Sequence, residues 1–138
     1  MKRLTIILLM STILSCSKNL EVNIDYIAGY WEIESVVFPD GQKRSYTYNE
    51  TIDFIGINDS LTGFRKKLKP NLSGKFTTSK DVETFKIVVE NDSLNVYYTT
   101  PFATWKETIL HADSTNLKVI NANKNVYLYK RYFPVNLE

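Results

Sequence analysis

The sequence predicts an all-β domain, an antiparallel up-and-down barrel of about eight strands preceded by a short helical segment. Three observations carry this expectation. Short runs rich in aromatic and β-branched residues alternate with polar ones, turn signals recur about every 8–12 residues, and successive runs are joined by short connections. No strand–helix–strand alternation is visible, so a parallel sheet and its nucleotide sites are not expected.

The elements follow in chain order. Leu20, Ile24 and Ile27 recur at helical spacing, and Gly29 stands where a turn would end. Tyr30 to Phe38 is the first strand, and Phe38-Pro39-Asp40-Gly41 has the proline and glycine of a β-turn. Ser45 to Tyr48 and Thr51 to Ile55 are further strands, and Asn58-Asp59-Ser60 turns the chain. Leu61 to Leu68 is a weaker strand, diluted by Gly63 and by Arg65-Lys66-Lys67. Pro70 to Gly74 breaks the pattern, which resumes at Lys75-Phe76-Thr77-Thr78. Thr84 to Val89 and Leu94 to Tyr98 flank an Asn91-Asp92 turn and read as a hairpin. Trp105 to Leu110 follows. A last hairpin, Leu117 to Ile120 with Val126 to Tyr132, spans Asn121 to Asn125. Closing such a sheet removes the edges that invite aggregation.

The N-terminus has a different character. Met1-Lys2-Arg3 is basic, Leu4 to Leu14 is apolar, and Ser15-Cys16 closes the segment, the layout of an export signal. The apolar run falls short of the roughly 20 residues that a spanning helix needs. Ile13-Leu14-Ser15-Cys16 resembles the bacterial lipobox. That resemblance implies cleavage before Cys16, a diacylglycerol on its sulfur, and anchoring to a membrane of the cell envelope, expected to be the outer one. Several acyl chains hold a protein stably where one does not. The expected divisions are a signal peptide at 1–15, the lipidated cysteine and a tether at 16–26, the barrel at 27–133, and a tail at 134–138.

Composition narrows the function classes. The formal charge is +2, and Lys2 and Arg3 account for all of it, so the chain from Cys16 onward is neutral. A neutral domain offers no electrostatic footprint for nucleic acid. Cys16 is the only cysteine, so once it is lipidated no disulfide, thiolate metal site or cysteine nucleophile remains.

Ile27-Ala28-Gly29-Tyr30-Trp31 looks like the Gly-x-Trp entry to the first strand of lipocalins. The hairpin from Phe85 to Tyr98, then Trp105-Lys106-Glu107, then Leu117 to Arg131, is similar to lipocalin-like lipoproteins of the type common in Bacteroidota. The resemblance covers most of residues 26–132. It implies a lipocalin-like barrel in which Gly29, Trp31 and Arg131 close one end, the arginine lying over the indole as a cation–π pair. The chain is short for a full lipocalin, and no second lipocalin signature lies between Asn58 and Gly74.

A barrel of about eight strands holds either packed side chains or one small ligand. Alternation turns Ile33, Val37, Ile52, Phe54, Phe85, Ile87, Leu94, Val96, Tyr98, Ile109, Leu117 and Val119 inward. These residues either fill a core or line an apolar pocket. In the second case Phe54, Phe85, Ile87, Val96 and Tyr98 are the candidate ligand contacts, with Tyr127 and Tyr129 as further polar anchors. Adjacent Tyr97 and Tyr98 cannot both point inward.

Other candidates are weaker. Phe102, in the Thr99 to Ala103 turn, is either a partner contact or a ring tucked under its own loop. Arg65-Lys66-Lys67-Leu68-Lys69 is either a surface for lipid headgroups or a lysine-protected edge strand. His111 is the only histidine, and with Asp113 it could form part of a Ser–His–Asp site, but no serine has an elbow-type glycine setting. The sequence holds no zinc-ligand spacing and no defensible carboxylate pair. The expectation is a non-catalytic lipoprotein without cofactor or metal. It binds a small apolar ligand in the barrel or, alternatively, serves as a packed-barrel interaction protein, an inhibitor or accessory subunit of an envelope complex.

Overall fold

The computed structural model describes residues 20–134, so the signal segment and Cys16 lie outside the described residues. Helix α1 spans Leu20–Ile27. Nine strands follow: β1 Gly29–Val37, β2 Lys43–Ser45, β3 Ile52–Ile57, β4 Thr62–Pro70, β5 Phe76–Glu90, β6 Ser93–Thr99, β7 Thr104–Ala112, β8 Asn116–Asn121 and β9 Val126–Arg131. Strands β3 to β9 pair in sequence order. β1 pairs with β3 on one side and β9 on the other, which closes an eight-stranded antiparallel barrel. β2 is an appendage, paired with β1 through Ser35–Val37 beyond the point where β1 leaves β3.

The turn chemistry explains the register. Asn91 and Asp92 both take positive φ, 48° and 59°, the handedness that matches the twist of a two-residue hairpin. Asn58 Oδ1 accepts from Ser60 N, Ser60 Oγ, Thr62 N and Thr62 Oγ1, locking the β3–β4 turn. At the Phe38 turn, Gly41 N donates to Phe38 O at 2.9 Å. Where Gly63 and Gly56 lie opposite each other's strand, a Cβ on Gly63 would overlap the Gly56 carbonyl oxygen and the Phe85 ring, so the close approach admits only glycine.

The helix and strands depart from the sequence reading in several places. The short strand after Gly41 is Lys43–Ser45 rather than Ser45 to Tyr48, because the last rung to β1 is Tyr46 N to Glu34 O. The two runs around Ser79–Glu83 form one 15-residue strand, because Val82 and Glu83 stay in register with Lys66 and Arg65. A bulge between Ile33 and Ser35 shifts the phase of β1. Val36 is therefore the buried residue, and Val37 is only half-buried. Helix α1 also takes Leu20 to Tyr26 out of the expected tether, with Ile24 packed against the core and Ile27 inside it.

The main core fills the barrel beside α1. It comprises Ile27, Trp31, Ile55, Phe85, Ile87, Leu94, Val96, Tyr98, Ile109, Ala112, Leu117 and Val119.

Candidate functional site

The helix end of the barrel is closed by one arginine. Trp31 is fully buried, and its Nε1 donates to Ile27 O at 2.7 Å. The Arg131 guanidinium lies 3.8 Å from the Trp31 ring centroid. Its Nη1 and Nη2 donate to Ala28 O and Tyr26 O, each at 2.7 Å, and its Nε donates to Ser114 O at 3.3 Å. A cation is well placed on the free carbonyls at the C-terminus of a helix. Arg131 thus joins α1, the β7–β8 turn and the indole. Gly29 has φ +124°, and a Cβ there would collide with the guanidinium, so the close approach needs glycine.

The interior beyond this apolar end is crossed by charges. Arg65 on β4 stands opposite Glu83 on β5, with Nε donating to Glu83 Oε2 at 2.5 Å. Its Nη1 reaches Glu107 Oε2 on β7 at 3.2 Å, spanning the barrel. The same guanidinium lies 4.4 Å from the Tyr98 ring centroid, and Tyr98 stacks on Trp105 with centroids 5.1 Å apart. Burial works against the Arg65 charge, but Tyr98, Glu107 and Glu83 together outweigh it and raise its pKa. Asp53 on β3 is buried, and Lys67 Nζ lies 2.6 Å from its Oδ1. That approach lies outside hydrogen-bonding angles, so the contact is one of charge. Burial, followed by other effects that Arg65 opposes, raises the pKa of Tyr98. Burial and then Asp53 raise that of Tyr129. Both phenols are neutral near pH 7.

Together these side chains leave a cavity of about 20 Å³, bounded by the apolar core on one side and by Asp53, Arg65, Glu107 and Tyr129 on the other. That volume holds about one water molecule. Small-molecule pockets occupy about 300–1,000 Å³.

The sequence pattern of the lipocalin-like domain family matches residues 27–119 of this barrel. The chain belongs to the lipocalin-like domain family. Among solved structures, a lipocalin-like protein from Bacteroides uniformis is 8% identical, covers 76% of this chain and 97% of its own, and gives a TM-score of 0.47. An uncharacterized protein from Bacteroides eggerthii is 10% identical, covers 76% and 98%, and also gives 0.47. No curated protein matches the sequence.

Within the lipocalin-like barrel, Phe85, Ile87, Val96, Tyr98 and Tyr129 all border the small cavity. Tyr127 is half-buried, outside the cavity wall, with its hydroxyl 3.4 Å from Asn121 Nδ2. Phe54 is a correction: it lies on the outer face, against Tyr30 and Phe64. Apolar residues occupy both phases of β3, and the register of Trp31 with Asp53 turns Asp53 and Ile55 inward instead. Ile52 shares the phase of Phe54 and is buried opposite Leu68. Phe102 is 96% exposed and does not tuck under its loop.

The basic run is also corrected. β4 lies between β3 and β5 and is no edge strand. Arg65 is turned inward, while Lys66 lies over the Phe64 ring and Lys69 pairs with Glu50. Arg65 was missed because its strand has no apolar inward phase to betray the alternation. Glu107 was within reach of sequence reasoning, two residues from inward Ile109. His111 Nε2 lies 2.7 Å from Asp113 Oδ2 on an exposed turn, and among the described residues no serine hydroxyl bonds to it. No group of three potential metal-ligating side chains is found among the described residues.

Proposed function

We propose that this protein is a lipid-anchored, non-catalytic component of the cell envelope whose barrel is a packed scaffold and whose work is done on its outer surface. The observation that carries the reading is the interior. It retains only about 20 Å³ and is crossed by the Arg65–Glu83–Glu107 ion pairs. Opening it to an apolar cargo would separate partly buried charges from their partners, which is costly. The lipobox-like Ile13-Leu14-Ser15-Cys16 supports the anchor. The competing reading, a carrier of a small apolar ligand, is favoured by the lipocalin-like fold alone.

Mass spectrometry of the protein isolated from its own envelope tests both parts. Under denaturing conditions the expected mass is that of a chain beginning at Cys16 and carrying acyl chains. Under native conditions the expected result is no further cargo. An unmodified N-terminus would remove the anchor, and a reproducible extra mass at one copy per chain would make the protein a carrier.

A further inference from the structure

On the outside of the barrel, three segments converge around a groove of about 660 Å³: the loop before β3, the β4–β5 hairpin tip, and the residues after β9. Its size falls in the range of small-molecule sites. Phe76 stacks on Tyr30 with centroids 5.3 Å apart and meets Tyr132 edge-on at 6.4 Å. Tyr48 borders the groove and is 83% exposed.

The exposed ring sits on a fixed support. Asn49 Nδ2 donates to Ile33 O at 2.9 Å and to Glu32 Oε1 at 3.1 Å, and Glu50 pairs with Lys69. The two residues that follow Tyr48 therefore fix the segment that presents its exposed ring at the groove. Across the groove, Asn71 Oδ1 accepts from Ser73 N, Ser73 Oγ and Lys75 N, which fixes the hairpin tip. Holding a ring and a loop in place beforehand lowers the entropy lost on binding.

The electrostatics select the ligand class. The charged groups lining the groove are already partnered: Glu50 with Lys69, and Glu32 with Asn49 and Lys130. Among the described residues, no charged group lining the groove lacks an opposite partner. The Thr47 hydroxyl, the Tyr48 and Tyr132 phenols, Asn49 Oδ1 and Asn71 Nδ2 line or border the groove and make no hydrogen bond among the described residues. The groove thus offers aromatic faces beside unspent neutral donors and acceptors. A pyranose ring presents the complement, a face of C–H bonds rimmed by hydroxyl groups.

We propose that this outer groove binds a neutral carbohydrate chain. The proposal rests on the reading of a packed barrel that works from its outside. A ligand found inside the barrel would end that reading without touching the groove, so the two can fail separately.

The test is a titration of the full-length mature chain in detergent, by calorimetry and saturation-transfer NMR. The probes are neutral pentasaccharides of glucose, mannose, galactose, xylose and N-acetylglucosamine, in α and β linkages. At least one is expected to bind saturably. Tyr48→Ala should weaken it about tenfold, as expected for loss of an aromatic contact, and Phe102→Ala should leave it unchanged. Tyr48 is exposed, so melting of the variant should match the parent. Failure of every probe, or affinity indifferent to Tyr48→Ala, would overturn the proposal. So would Tyr48-dependent binding confined to anionic sugars or to proline-rich peptides.

Discussion

Trp31→Ala is expected to cost about 3–5 kcal/mol of folding stability, the range for removing a large aromatic side chain from a core. Trp31 is fully buried, hydrogen-bonded to Ile27 O, and covered by Arg131. Its loss leaves a void between α1 and the barrel and removes the face that the guanidinium rests on. Trp31→Phe keeps part of the ring and loses the indole donor, so it should fall between the two. Urea denaturation followed by circular dichroism gives the values. A loss under about 1 kcal/mol for the alanine variant would mean that the closed end is held by other contacts.

Arg65→Met is the second large effect. It removes the cation between Glu83 and Glu107, whose side chains are 35% and 14% exposed. Breaking a buried pair by deleting one partner costs about 3–5 kcal/mol, because the remaining charge is stranded; here the lower end is expected because Glu83 is partly solvated. The double variant Arg65→Met with Glu107→Gln should recover much of that loss, since an amide tolerates burial better than an unpaired carboxylate. A double-mutant cycle reads this as a coupling between the two positions. Additive losses would show that the strut is incidental and that Arg65 acts through its contact with Tyr98.

The fold was legible where one phase of each strand is apolar. In β6, Leu94, Val96 and Tyr98 point inward and Tyr97 points out, where its hydroxyl donates to Glu90 Oε2 at 2.6 Å. Asn91-Asp92 announced its hairpin because both residues accept positive φ. Gly29, Trp31 and Arg131 were found together by family resemblance, which spacing alone does not supply, since Arg131 is 103 and 105 residues from the Ala28 and Tyr26 carbonyls it binds.

The interior charges were not legible. On β4, Arg65 lines the cavity and Lys67 reaches buried Asp53, while Phe64 lies on the outer face against Phe54, so hydrophobic periodicity misreads the strand. Only the partner carboxylates on β3, β5 and β7 make that phase stable, and such long-range pairing leaves no local trace. The outer groove was hidden for the same reason. Tyr48, Phe76 and Tyr132 are far apart in sequence and line one groove only once the barrel closes.

The most direct test of the packed barrel is a titration of the purified protein with the apolar dye N-phenyl-1-naphthylamine, followed by competition with palmitate. A cavity of about 20 Å³ cannot admit either molecule, so no saturable, palmitate-displaced fluorescence is expected at one site per chain. Saturable binding at that stoichiometry, displaced by the fatty acid, would show that the interior opens to a ligand and would contradict the account.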